Sequence, residues 1–319
     1  MSMKILVTGA AGFIGSSLID RLLANGHRVL GLDNFNHFYD PAIKEANIRQ
    51  ALRHDAFELV RGDIRDASFV DSVFARFQPD RLVHLAAWAG VRPSIEDPGR
   101  YSDVNLTGSV NLFQACVRHQ VERVCFASSS SVYGDRHSVP FRETDDVAQP
   151  ISPYAATKRA GELLAYTWHH LHKLHIHCLR FFTVYGPRQR PEMAIAKFVD
   201  AIENDRHVTL YGDGTSARDY TYIDDIVDGV IRSIECVEGY EILNLGNSVP
   251  TGLLDLVTEI GRALGKTPQI DFQPNQPGDV TITYASLEKS SRILGYQPNT
   301  SMSDGIRKYV EWYRTGATQ

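Results

Sequence analysis

Residues 4–15 read KILVTGAAGFIG. With Met3 in front, MKILVTG is short and apolar, as a strand buried on both faces should be. It stops at Gly9. Gly12 and Gly15 follow at three-residue intervals, and SSLIDRLLANG then reads as a helix ended by Gly26. Strand, glycine turn and helix in that order let the backbone come close to a diphosphate. The unpaired N–H groups and positive dipole end of the helix favour the anion. HRVLGLD is a second strand and ends on Asp33, 18 residues beyond Gly15. A carboxylate there can accept hydrogen bonds from both ribose hydroxyls of an adenosine. It would repel a 2′-phosphate, so the pattern favours NAD over NADP. The competing reading, a tight turn with no ligand, is disfavoured by the strand before it and the acid after it.

Outward from this stretch the first half alternates. A polar, helical stretch runs from 41 to about 53, and FELVRGD is a third strand. ASFVDSVFARF is helical, RLVHLAA a strand, NLTGSVNLFQACVRHQ helical and RVCFASS a strand. SPYAATKRAGELLAYTWHHLH is a helix and HIHCLRFFTVYG a strand. Such alternation with short connections predicts an α/β fold, a doubly wound parallel sheet covered on both faces. After Tyr185 the pattern loosens into a Pro-rich basic loop and shorter elements. We expect residues 1–182, with 218–246, to form the NAD-binding domain. Residues 183–217 and 247–319 would form a smaller C-terminal α/β lobe that meets the substrate. Candidate cofactor contacts are Gly9, Gly12, Phe13, Ile14 and Gly15 at the turn, Asp33 and Asn34 after the second strand, and Asp63 and Ile64 after the third. Leu85, Ala86 and Ala87 end the fourth strand with small side chains, as close approach requires.

Composition bounds the partners. The 319 residues are 43% hydrophobic and 22% charged, enough for a large core or two lobes sharing one. A net charge of −5 without a basic block gives no electrostatic case for nucleic acid. No stretch reaches the roughly 18 apolar residues that cross a bilayer, and the N-terminal apolar run is too short for a signal peptide, so no membrane partner is expected. Cys116, Cys125, Cys178 and Cys236 lie far apart without metal-ligand spacing. Cys125 and Cys178 fall in strands and are expected to be buried thiols, in keeping with a reducing cytoplasm. WHHLHKLHIHC packs five histidines together, but the helix–strand break within it argues against a fixed metal site, and no metal is expected.

Tyr154 opens YAATK, which places Lys158 one helical turn away on the same face. A cation held there would lower the phenol pKa from about 10 towards neutrality and make a usable base. The bland reading is a surface pair. Ser129, in CFASSSSVYG, precedes Tyr154 by 25 residues. With the glycine turn, YxxxK and this serine, the chain resembles the extended short-chain dehydrogenase/reductase family over essentially its whole length. The resemblance implies a Rossmann domain with Tyr154 as base. Lys158 would be its cation and a ligand of the nicotinamide ribose, and Ser129 the hydroxyl that holds the substrate oxygen. It also implies that Asn105, in VNLTGSVNL, buttresses the site.

DNFNHFYDPAIKEANI, AAWAGVRPS, RFFTVYGPRQRPEMA and QPGDV are similar to the nucleotide-sugar epimerases that act on UDP-glucuronate at C4. Trp88 stands where many such relatives carry glutamine, and Pro93 where several carry an aromatic. Related dehydratases and decarboxylases usually carry a glutamate just before VYG, and here Ser130 and Ser131 stand there. The resemblance therefore implies an epimerase that takes a hydride from C4 of a UDP-hexuronate and returns it to the other face. Ser130, Ser131, Thr183 and Arg190 would hold the carboxylate, with Arg188 a weaker candidate. Arg218 would meet the diphosphate, and Asp279 would lie near the nucleotide ribose. A UDP-glucose/galactose epimerase, a UDP-glucuronate decarboxylase and an inert NAD-binding scaffold remain open as alternatives. The helix from Gly108 and the helix of Tyr154 form a homodimer seam in many relatives, and Ala155, Ala160, Leu163 and Leu164 suit that seam or the core equally well.

Overall fold

The computed structural model describes residues 2–274 and 282–316. KILVT forms β1 (Lys4–Thr8), and the glycine turn leads into α1 (Phe13–Ala24). There follow β2 (Arg28–Asp33), α2 (Pro41–Ile48), β3 (Phe57–Arg61), α3 (Ala67–Phe77) and β4 (Arg81–His84). Two short helices, α4 (Val91–Glu96) and α5 (Pro98–Ser102), precede a single π turn, Asp103–Thr107, that runs into α6 (Gly108–Arg118). Next come β5 (Arg123–Ser129), α7 (Pro153–His172), β6 (His175–Phe181) and β7 (Thr183–Tyr185). The second half holds α8 (Ala194–Glu203), β8 (Val208–Tyr211), β9 (Ala217–Tyr222), α9 (Ile223–Cys236), β10 (Tyr240–Leu245) and β11 (Pro250–Gly252). It ends with α10 (Leu253–Leu264), β12 (Ile270–Gln273), β13 (Ile282–Thr283), α11 (Glu288–Leu294) and α12 (Met302–Arg314).

Seven parallel strands form the main sheet in the order β10-β6-β5-β4-β1-β2-β3. The continuous apolar character of its strands has a direct cause. Ile5, Val7, Val83 and Cys125 point to the face covered by α1 and α9, while Leu6, Leu82, Val124 and Phe126 point to the face covered by α3, α6 and α7. Side chains alternate along a strand, so a strand covered on both faces must be apolar at every position. The chain runs outward from β1 to β2 and β3, then returns to β4 on the other side. That reversal opens a crevice beyond the C-terminal ends of β1 and β4.

The smaller lobe is built on β9, which pairs with β7 and β13 in parallel and with β11 antiparallel; β8 and β12 form a separate pair. The stretch 218–246, expected to return whole to the large sheet, divides. Most of β9 belongs to the small sheet, whereas α9 covers the large sheet and β10 is its edge strand. Asp219 sits where they meet, its carboxylate accepting from the backbone N–H groups of Asn247, Ser248 and Ala285. No helix among the described residues is long and apolar enough to cross a membrane.

Candidate active site

The cleft at the strand reversal is lined by Gly9, Gly12, Phe13, Ile14 and Gly15 after β1, Asp33 and Asn34 after β2, and Leu85–Ala87 after β4. Gly9 has φ +69°, and a Cβ on it would lie 2.8 Å from the Ala86 nitrogen. A Cβ on Gly15 would collide with the Gly9 carbonyl oxygen. Gly12 caps α1 without any side-chain hydrogen bond, so the first N–H groups of the helix are left to a ligand. These features fit a dinucleotide diphosphate.

Asp33 is buried at 6% exposure; it accepts from the Ala11 and Phe35 nitrogens at 3.1 and 2.9 Å. Lys44 of α2, equally buried, reaches its Oδ1 at 3.4 Å. Lys44 lines the cleft and was not singled out by its sequence. A signal was there: Lys44, Asn47 and Ile48 share one face of α2, and all three are buried. The pair fits an adenosine ribose, with acceptor and cation side by side.

Asp63, a candidate cofactor contact, has a carboxylate already engaged within the protein. Gly62 and Ile64 line the cleft, but the Asp63 carboxylate is held by Arg65 at 2.9 Å and by Asn34 Nδ2 at 3.0 Å. The Arg65 bond holds its pKa down at about 2. Asn105 acts from behind the wall. Its Oδ1 accepts from the Trp88 nitrogen at 2.8 Å, and its Nδ2 donates to the Trp88 carbonyl and to Thr157 Oγ1, both at 3.0 Å. It sits in the π turn, a departure from α-geometry that often marks functional positions.

Ser152 starts α7 by accepting from the Ala155 nitrogen at 3.1 Å, with Pro153 at its first position. This start sets the register of Tyr154 and Lys158. Both line the cleft together with Ser129, Ser130 and Ser131 from the end of β5 and Thr183 and Arg190 from the small lobe. The electrostatics correct one expectation. Burial pushes the Tyr154 phenol up; the Ser129 hydroxyl and then the Arg190 charge pull it back. Among the described residues no hydrogen bond joins Lys158 to the phenol. The Lys158 Nζ is 5.9 Å from the phenol ring centre and donates to the Ala127 carbonyl at 2.7 Å. Burial lowers the Lys158 pKa to about 8, opposed by Glu162.

Glu162, one turn beyond Lys158, is wholly buried. It accepts from Ser128 Oγ at 2.6 Å and from Arg180 Nε and Nη2 at 2.8 and 2.9 Å. This trio ties α7 to β5 and β6, with Ser128 the chain neighbour of Ser129. It too escaped the sequence, because its members come from three separate elements. Phe38, Trp88 and Tyr154 line the cleft and are joined through the buried Tyr101: Phe38 packs edge-on to Trp88 at 5.1 Å, Trp88 to Tyr101 at 6.2 Å and Tyr101 to Tyr154 at 6.2 Å.

Other residues fall elsewhere. Arg188 turns away and pairs with Asp20 of α1 at 2.7 Å. Arg218 stands half-buried on β9, outside the cleft wall formed by the described residues. Asp279 lies outside the described residues. In the histidine-rich stretch, His169, His175 and His177 each bond a different partner: the Leu174 carbonyl, the Gly239 nitrogen and Ser233 Oγ. Cys125 and Cys178 are buried thiols.

Comparison with known proteins agrees with this geometry. The sequence pattern of the "NAD dependent epimerase/dehydratase family" matches residues 5–246. UDP-glucuronate 4-epimerase of Thermodesulfobacterium geofontis is 40% identical, covering 96% of this chain and 95% of its own length. The crystal structure of UDP-glucuronic acid 4-epimerase from Bacillus cereus, in complex with UDP-glucuronic acid and NAD, is 35% identical with a TM-score of 0.93 over 98% of this chain and 99% of that one. UDP-glucose 4-epimerase of Thermotoga maritima, solved with UDP-glucose, gives 0.91 at 30% identity over 98% and 99%, so backbone alone does not separate charged from neutral sugars. By sequence and by fold, the chain belongs to the NAD dependent epimerase/dehydratase family.

Proposed function

We propose that the protein is an NAD-dependent epimerase acting at C4 of a UDP-hexuronate, interconverting UDP-glucuronate and UDP-galacturonate. One wall of the cleft carries the assignment. Ser130, Ser131 and Thr183 offer hydroxyls there and Arg190 a cation, and positions 130 and 131 offer no carboxylate for proton chemistry at C5. Both the Bacillus cereus and Thermodesulfobacterium geofontis proteins named above as UDP-glucuronate epimerases support the same reading.

NAD, when bound, would supply reversible hydride chemistry at C4 and a positive charge near the phenol. Gly9–Gly15 would hold its diphosphate and Asp33 with Lys44 its adenosine ribose. Tyr154 takes the proton of the 4-hydroxyl and later returns it, general-base work worth about 10²–10⁴-fold. Ser129 holds the reacting oxygen through both half-reactions. The 4-keto sugar turns in between and presents its other face. That ketone is a β-keto acid and loses CO₂ most easily when the breaking bond stands parallel to the carbonyl π orbitals. Ser130, Ser131, Thr183 and Arg190 hold the carboxylate out of that alignment, a task suited to a bidentate guanidinium.

Incubation with UDP-glucuronate and, separately, UDP-glucose, with products resolved by chromatography, tests the assignment. UDP-galacturonate without CO₂ is expected. Evolved CO₂ would make the protein a decarboxylase, and turnover of UDP-glucose alone a neutral-sugar epimerase. Arg190→Ala should raise the KM for UDP-glucuronate and leak decarboxylated product. We also propose a homodimer through α6 and α7. Ala155 is fully buried and belongs to the core, whereas Leu163, Tyr166 and Leu171 leave more than half of their surface exposed along α7. Leu163→Glu should halve the mass seen by sedimentation. Four free cysteines suit a reducing cytoplasm.

A further inference from the structure

Arg190 does not face the cleft alone. Its Nε lies 3.0 Å from Glu192 Oε1, and its guanidinium sits 5.4 Å over the Phe38 ring. The loop is folded to make this contact: Gln189 N donates to the Gly186 carbonyl at 3.0 Å and Met193 N to the Arg190 carbonyl at 3.2 Å. Arg188 adopts φ +69° and leaves in the other direction, to Asp20. The cations lining the cleft differ in their partners. Lys44 is committed to a buried Asp33, and Lys158 to the Ala127 carbonyl. Arg190 has instead a counter-ion that is 37% exposed at its side chain, on the same short loop. An exposed carboxylate can swing into solvent at little cost; a buried one cannot.

A hexuronate brings a second carboxylate to the same guanidinium. It must either displace Glu192 or share the cation with it, and two like charges at one site repel. A neutral hexose has no such conflict and leaves the Arg190–Glu192 pair intact. We propose that Glu192 is the resident counter-ion of the sugar subsite, holding Arg190 until the carboxylate of a hexuronate takes its place, and so setting how strongly the site distinguishes a hexuronate from a neutral hexose. The inference rests on the functional reading above.

The test uses NAD-loaded wild type, Glu192→Gln and Glu192→Asp. It measures the KM for UDP-glucuronate and the inhibition constant of UDP-glucose against it. In Glu192→Gln the KM should fall about two- to fivefold, the range a part-exposed ion pair carries. The inhibition constant should not fall. Glu192→Asp keeps the charge and should stay near wild type. An unchanged KM overturns the proposal. A raised KM overturns it too, making Glu192 a prop that orients Arg190, and so does an equal gain for UDP-glucose. Wild type that fails to turn over UDP-glucuronate brings down the functional reading with it, whereas normal turnover with an unresponsive Glu192→Gln brings down only this proposal.

Discussion

Tyr154 shows how far a spacing rule reaches. YxxxK places phenol and ammonium one turn apart on α7, and both reach the cleft. The rule does not tell which force sets the phenol pKa. Burial raises it, and the lowering influences come from Ser129 and from Arg190, the latter 36 residues away in sequence. The phenol is therefore expected to titrate at a lower pH once NAD adds its positive charge, a shift that phenolate difference absorbance of the apo and loaded protein would register. Since the phenolate is the base, activity should fall as pH drops through that pKa. Tyr154→Phe should lose about 10²–10⁴-fold in kcat while retaining NAD. Turnover within tenfold of wild type would remove Tyr154 from its role.

At the scale of the element, local sequence specified well what depends on neighbours in the chain. The glycine spacing of 9, 12 and 15 predicted a turn against an uncapped helix, and that is its geometry. Gly15→Ala should abolish NAD retention, because its methyl group would strike the Gly9 carbonyl at the centre of the turn. A variant that folds and still copurifies with NAD would contradict this close packing. α7 was legible as a helix, but Glu162 within it was not legible as its anchor. Arg180 and Ser128 reach it from β6 and β5, and only the crossover that lays α7 on the sheet brings them together. Glu162→Ala leaves Arg180 buried without its partner and should cost about 3–5 kcal/mol in denaturant unfolding.

For the whole molecule, burial has a consequence for pH. His84 is enclosed between Thr8 and Ser109, and His177 lies under α9 against Ser233. Burial is the main cause that lowers their pKa values, to about 3 and about 4. The unfolded chain binds protons at these histidines near pH 6.5, where the folded chain does not, so stability rises with pH across this window. Acidification from about pH 6.5 towards 4 should remove about 1.4 kcal/mol per pH unit for each histidine. Denaturant midpoints at pH 7, 6 and 5 would reveal it as a steady decline; a flat profile would mean that one or both are accessible to protons in the native state.

The sequence by itself determined the alternation of strands and helices, the glycine turn, Asp33 at the strand end and the Tyr154–Lys158 register, since each depends on residues a few positions apart and on the periods of helix and strand. The tertiary structure alone decided that Lys44 joins Asp33, that Arg188 leaves for Asp20 while Arg190 meets the cleft, and that β9 parts from α9 to seed the small sheet. The physical reason is that charge pairing and desolvation act through space. Both are set only when crossovers bring distant segments together and shut water out.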